Sequence, residues 1–240
     1  MRVYYLEYSR ILKKSLVLLV VLLALVLMYK MIQYNILAPA TSRYEPIYQG
    51  SAGAKKIALT VNVVWGEEFI PQMLDILKKN DVQVTFNIGG QWAEKFPELT
   101  KEMAQAGHEI GNHGYSHPHP TYLNKKANIE QILKTEKIIQ ALTGHKTSLF
   151  APPYGEFNEQ VLQAAGENGY KTILWSIDTI DWQKPAPAEI IRKVTTKAHN
   201  GAIVLMHPTA PTVKALPSLL AKLKKEGYQF VRVSDIIQGS

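Results

Sequence analysis

The chain has 240 residues, 46% hydrophobic and 20% charged, which bounds it to one sizeable globular domain plus an appendage and excludes a low-complexity polymer. Its lack of cysteine excludes disulfides and thiolate metal sites, so any metal must be held by His, Asp, Glu or water. The formal net charge of +7 favours lipid headgroups or acidic wall polymers as surroundings. The Lys and Arg are scattered without a stripe or binding motif, so no nucleic-acid partner is expected.

At the N-terminus Arg10, Lys13 and Lys14 precede "LVLLVVLLALVLMY", an apolar run ending at Tyr29. A span needs about 20 residues, and Met31 and Ile32 extend this one past a snorkelling Lys30. Residues 1–34 therefore read as a cytoplasmic basic flank and an uncleaved signal anchor. The positive-inside rule then places the rest outside the cell, on a single-pass membrane protein. The "APA" at 38–40 resembles a signal-peptidase site, and cleavage there would give a secreted protein. Lys30 and the long gap before "APA" favour the anchor. Residues 35–55 contain Pro, Ser and Gly without a sustained period and read as a tether, which leaves 56–240 as the folded domain.

From there strand and helix patterns alternate. "KIALTVNV" is a strand, and "EFIPQMLDILKKN" is a helix with Pro71 in its first turn. "VQVTFNI" is a strand, "PELTKEMAQAGH" a helix closed by Gly107, and "HEIGN" a short strand. Next come the helix "NIEQILKTEKIIQALTG", the strand "SLFAPP", the helix "NEQVLQAAGENG" and the strand "YKTILWSID". "PAEIIRKVTTKAHNG", "AIVLMH", "LPSLLAKLKKEG" and "YQFVRVSDII" complete the pattern. About seven β/α units in succession imply a parallel α/β sheet, open or closed into a barrel.

The chemistry-bearing residues gather where strands end. "NHGYSH" follows "HEIG", "PPYG" follows "SLF", "DTIDW" follows "LWSI", and His207 ends "AIVLM". In a parallel barrel those ends share the face that carries the site. His113 and His117 have the i, i+4 spacing that brings two imidazoles onto one ion from a helical turn, with Asn112, Tyr115 and Ser116 between or beside them to orient the rings. His207 needs an orienting carboxylate to act as acid or base, and Asp181 or Asp178 can supply it. Trp65, Tyr154 and Trp182 are candidate aromatic walls of a sugar-binding groove.

Taken together, "TFNIGGQWAEKFPELTKEMAQAGHEIGNHGYSHP", "FAPPYG", "LWSIDTIDW" and "IVLMH" resemble the NodB-homology polysaccharide deacetylases, carbohydrate esterase family 4, from about residue 56 onward. The tethered layout is similar to cell-wall and sporulation members. The resemblance implies a distorted (β/α) barrel behind one N-terminal membrane-spanning helix. It also implies metal-dependent removal of acetyl groups from N-acetylated wall or spore-cortex glycan, using zinc or cobalt. By motif, His113 and His117 become metal ligands, and His207, tuned by Asp181, becomes the acid for the leaving amine. Trp182 and Leu205 line the acetyl pocket. Pro153 and Tyr154 face substrate, with the Tyr154 N–H binding the oxyanion.

The chain departs from that family in its first motif. Thr-Phe-Asp-Asp-Gly-Pro becomes Thr60-Val61-Asn62-Val63-Val64-Trp65. Asn62 stands at the base position, where an amide cannot take a proton, and Val63 at the aspartate-ligand position, where it cannot bind a cation. The arginine before Pro-Pro-Tyr-Gly is Ala151, and Gly114 replaces a usual Ser or Thr. Two expectations follow. One is a degenerate deacetylase that binds glycan without turnover and holds metal weakly. The other is an active hydrolase with rearranged ligands, drawing on Glu67, Glu68 or Asp178, with His207 serving as both base and acid. A tethered scaffold without glycan affinity is the third possibility. The sequence carries no signal for oligomeric state.

Overall fold

The computed structural model describes residues 4–37 and 44–237, which form two compact units divided between Thr41 and Ser42. The first unit is helix α1 (Tyr4–Leu37). Its segment Arg10–Met31 has mean hydropathy 2.6 and is long and apolar enough to cross a membrane. Its apolar side chains, Leu16 to Met28, are exposed, as a lipid-facing helix requires. The "APA" at 38–40 lies outside the described residues.

The second unit is a curled parallel sheet with helices packed on it. Its strands are β1 (Lys56–Val63), β2 (Thr85–Ile88), β3 (Glu109–Asn112), β4 (Leu149–Phe150), β5 (Lys171–Thr172), β6 (Ile177–Asp178), β7 (Ala202–Met206) and β8 (Gln229–Val231). They lie in the order β5-β4-β3-β2-β1-β7-β6, with β8 beside the first residues of β1. Strand β1 is the hub. Thr60 pairs with Thr85 on one side and with Leu205 on the other.

"YKTILWSID" forms two strands rather than the single one its pattern suggests, and these are the two ends of the sheet order. The reason lies upstream. Ile47 N–H donates to Thr172 O at 2.9 Å, and Ile47 O accepts from Leu174 N at 2.7 Å. The chain after β5 therefore pairs with Ile47 before β6 begins. Residues 44–51, expected within the tether, thus belong to the folded body. Gly50 seats the turn, because a Cβ there would stand 2.2 Å from Ile236 O.

The helices of this unit are α2 (Ile70–Lys79), α3 (Gly90–Lys95), α4 (Pro97–Gln105), α5 (Lys125–Thr143), α6 (Glu159–Gly166), α7 (Pro187–Lys197), α8 (Ala210–Lys225) and α9 (Val233–Ile237). Asn124 and Asn158 cap α5 and α6 through their side-chain oxygens. Helix α8 starts at Ala210, ahead of the "LPSLL" run. Thr209 caps it through Thr212 N, Pro211 sits in its first turn, and Pro217 is carried inside.

Alternation along β1 decides what reaches the site. Ile57, Leu59, Val61 and Val63 pack in the main core with Phe86, Ile88, Met73, Leu77, Leu216 and Leu220. Ala58 belongs to a second core with Leu149, Ala151 and Ile203.

One buried histidine serves the fold alone. His108 accepts the Val84 N–H at its Nδ1 and meets the Phe86 ring edge-on. Burial holds its pKa down at about 4, against an ordinary 6.5. The unfolded chain therefore protonates His108 first on acidification, so its stabilising contribution is complete above pH 6.5 and is lost as pH falls toward 4. The melting temperature should decline across that window, and His108→Gln should flatten the decline. Parallel slopes for the two proteins would contradict this.

Candidate active site

The strand ends surround a cavity of about 400 Å³. It is lined by Asn62 near the end of β1 and Trp65 just beyond it, His113 and His117 after β3, Tyr154 after β4, Trp182 after β6, and Leu205 and His207 on β7 and just beyond. The structure thus brings together seven of the predicted site residues: Asn62, His113, His117, Tyr154, Trp182, Leu205 and His207. Asp181 is buried and holds His207, and Pro153 is buried and does not line the cavity.

The histidine pair converges by a loop, not by the expected helical turn. Gly114 has φ of 73° and His117 has φ of 56°, which turn the chain back on itself. The His113 and His117 ring centroids stand 4.9 Å apart. The glycine at 114 is required by that backbone, where a β-branched residue would be strained. The loop is held from outside. Asn112 Oδ1 accepts from Gly114 N, and Gln131 Oε1 on α5 accepts from Tyr115 N and Ser116 N, each at 2.9 Å. Tyr115 itself turns away to donate to Glu94 at 2.9 Å. Gln131 has no sequence signal, being one more polar residue on an amphipathic helix.

His113 Nδ1–H donates to Ala151 O at 2.6 Å, which leaves Nε2 as the ring's unprotonated nitrogen. Burial, reinforced by the neighbouring His117, holds its pKa down at about 3. Burial and then His207 also lower the pKa of His117. Both rings are therefore neutral donors at physiological pH.

His207 is fixed by Asp181, which is fully buried. Asp181 accepts three hydrogen bonds: His207 N–H at 2.6 Å, His207 Nδ1–H at 2.8 Å and the Thr212 hydroxyl at 2.6 Å. Asp178 plays a different part, its Oδ1 accepting from Ile180 N at 2.8 Å and closing the turn. Trp65 lies nearly parallel to the His207 ring, centroids 5.7 Å apart. Tyr154 packs on His117 at 4.5 Å and stacks on His119 at 4.1 Å.

The end of β1 carries the departure. Asn62 enters the cavity wall, and its Oδ1 accepts from Asn87 Nδ2 at 2.8 Å. Val63 is fully buried in the main core and does not line the cavity. Glu67 and Glu68 line an adjacent depression with Lys184 and Thr209, away from the histidines. Among the described residues no group of three or more His, Asp or Glu is placed to hold a metal ion. A catalytic divalent ion takes three protein ligands, commonly with a carboxylate. The two neutral imidazoles facing an amide do not fit that requirement.

The sequence profile described as polysaccharide deacetylase matches residues 49–173. The chain belongs to the polysaccharide deacetylase family. Among relatives, protein YlxY of Bacillus subtilis is 42% identical over 193 residues, covering 80% of this chain and 60% of that protein. A peptidoglycan-N-acetylglucosamine deacetylase of Bacillus cereus is 36% identical over 203 residues, covering 82% of this chain and 74% of that enzyme. This chain therefore spans under two thirds of YlxY and most of the Bacillus cereus deacetylase. Among solved structures, a carbohydrate esterase family 4 pseudoenzyme from Bacillus anthracis superposes with TM-score 0.78 at 41% identity, covering 80% of this chain and 68% of that one. A mutant of that pseudoenzyme has restored enzymatic activity. The deacetylase fold expected from the sequence is therefore shown, with strands β5 and β6 at the two ends of the sheet order and not paired with each other.

Proposed function

We propose that this polysaccharide deacetylase-family chain is membrane-anchored, faces outward, and binds N-acetylated cell-wall or spore-cortex glycan with deacetylation lost or strongly reduced. The observation that carries this reading is the end of β1. It gives the cavity the Asn62 amide instead of a base, and it buries Val63 in the core. A general base is worth roughly 100- to 10,000-fold in rate, and among the described residues the carboxylate that lines the cavity, Asp178, already accepts from Ile180 N. The relatives support the reading: one is a peptidoglycan deacetylase and one a pseudoenzyme of the same fold.

The features that recognise sugar remain. Trp65, Trp182 and Tyr154 present exposed rings around the cavity, suited to the apolar faces of pyranose rings. Leu205 and Trp182 form an apolar corner for an acetyl methyl. His207, held by Asp181, offers its Nε2 to a sugar nitrogen or hydroxyl. The rival reading, an active hydrolase, rests on Asp178 lining the same cavity as His113 and His117. Its engagement with Ile180 N argues against that role.

The test is acetate release from N-acetylglucosamine oligomers by the full-length chain in detergent micelles, with saturating zinc or cobalt, beside calorimetric titration of the same oligomers. Binding without release is expected. Release that disappears in His113→Ala would establish the hydrolase, and absence of both release and binding would leave only the scaffold.

A further inference from the structure

Resting on that glycan-binding reading, we infer that Asn62 replaces the family's base with a hydrogen-bond donor that reads the carbonyl oxygen of the bound acetamido group without a metal, and that Asn87 positions it. Asn87 is fully buried on β2, opposite Asn62. Its Nδ2 donates twice, to Thr60 Oγ1 at 2.7 Å and to Asn62 Oδ1 at 2.8 Å. Asn62 Oδ1 is thereby occupied, and the rest of its amide is Nδ2, a donor only.

Asn62 is 5% exposed and belongs to the cavity wall. Its Nδ2 makes no hydrogen bond with the described residues and is not among the fully enclosed unpaired atoms, which are Asn87 Oδ1 and Trp92 Nε1. It therefore opens on the cavity. An unpaired donor in so buried a wall selects a ligand that brings an acceptor, because burying it unmatched costs free energy. A cation is the wrong partner for an N–H. A neutral carbonyl oxygen is the right one, and the acetamido group carries one beside a methyl that suits Leu205 and Trp182.

The fold also accepts a cost to hold this arrangement. Asn87 Oδ1 has no partner, and it lies against Gly111, where a Cβ would stand 2.2 Å from it. A buried acceptor left unmatched, facing a glycine that makes room for it, is expensive as packing alone. It is accounted for when the other end of the same amide fixes Asn62.

The experiment is calorimetric titration of the full-length chain in detergent micelles with EDTA present. The probes are an N-acetylglucosamine tetramer and cellotetraose, which shares the β-1,4 backbone and neutrality but lacks acetamido groups. The wild type should prefer the acetylated tetramer by about tenfold or more. Asn62→Asp keeps an acceptor for Asn87 Nδ2, so it should fold, and it should lose that preference by setting a carboxylate against the carbonyl. Asn87→Leu removes the orphan oxygen and frees the Asn62 amide. It should reduce affinity for the acetylated tetramer while leaving cellotetraose unchanged, whereas a purely structural role would move both. A preference that survives in Asn62→Asp, or that appears only when zinc replaces EDTA, overturns the inference. Equal wild-type affinity for the two probes overturns it while leaving glycan binding intact, and no affinity for either overturns both.

Discussion

Val63→Asp should destabilise the metal-free protein by about 3–5 kcal/mol, the usual cost of an uncompensated buried charge. Val63 is fully buried among Val61, Ile88, Ile70 and Met73, where a carboxylate finds no partner. Zinc or cobalt should recover much of that loss, because an ion held by the new carboxylate with His113 and His117 binds the folded chain alone. Thermal unfolding with EDTA and with zinc reads both effects. Combined with Asn62→Asp, the substitution should bring acetate release up by about 100-fold or more over the wild-type background. A variant that zinc does not stabilise would mean the β1 end no longer reaches the histidines. The family arrangement would then be lost in backbone as well as in side chains.

Asp181→Ala should cost a comparable 3–5 kcal/mol, for the opposite reason. Here the charge is removed and its partners remain: the His207 N–H, the His207 Nδ1–H and the Thr212 hydroxyl all lose their acceptor. Asp181→Asn should recover only part of the loss, since its single oxygen cannot accept all three donors and its amino group faces one of them. His207→Gln should be milder, because the His207 side chain is partly open to the cavity. A melting temperature for Asp181→Ala within a degree of wild type would show that water satisfies these donors. The expected result explains why a histidine–aspartate pair persists beside a missing base: it ties β7, α8 and the turn after β6 together.

Much of this was legible in the sequence because it rests on period and position. Asn158, Pro71 and Gly144 mark helix ends through local chemistry, and the structure places those ends within a residue or two of expectation, while α5 starts three residues ahead of the expected Asn128, behind its Asn124 cap. His113, His117, Tyr154, Trp182 and His207 were legible because each ends a strand. What the sequence hid are partners set by tertiary approach. Asn87 reads as one more residue of "VQVTFNI", and only the register that puts it opposite Asn62 gives it a role. Gln131 and Thr212 are hidden for the same reason. The i, i+4 spacing of the histidines suggested a helical turn, but Gly114 and His117 in left-handed conformations produce the convergence by a loop. Ile47 looked like tether because a two-bond bridge leaves no periodicity.

Three of the four tryptophans, Trp65, Trp175 and Trp182, line the cavity, while Trp92 is buried against Phe96. The cavity is therefore its own optical reporter. A sugar ring settling on Trp65 or Trp182 would strip water from an indole and shift its fluorescence to shorter wavelength, against a constant background from Trp92. Occupancy could then be followed in the unlabelled protein, and Trp65→Phe beside Trp182→Phe would assign the signal to one wall or the other.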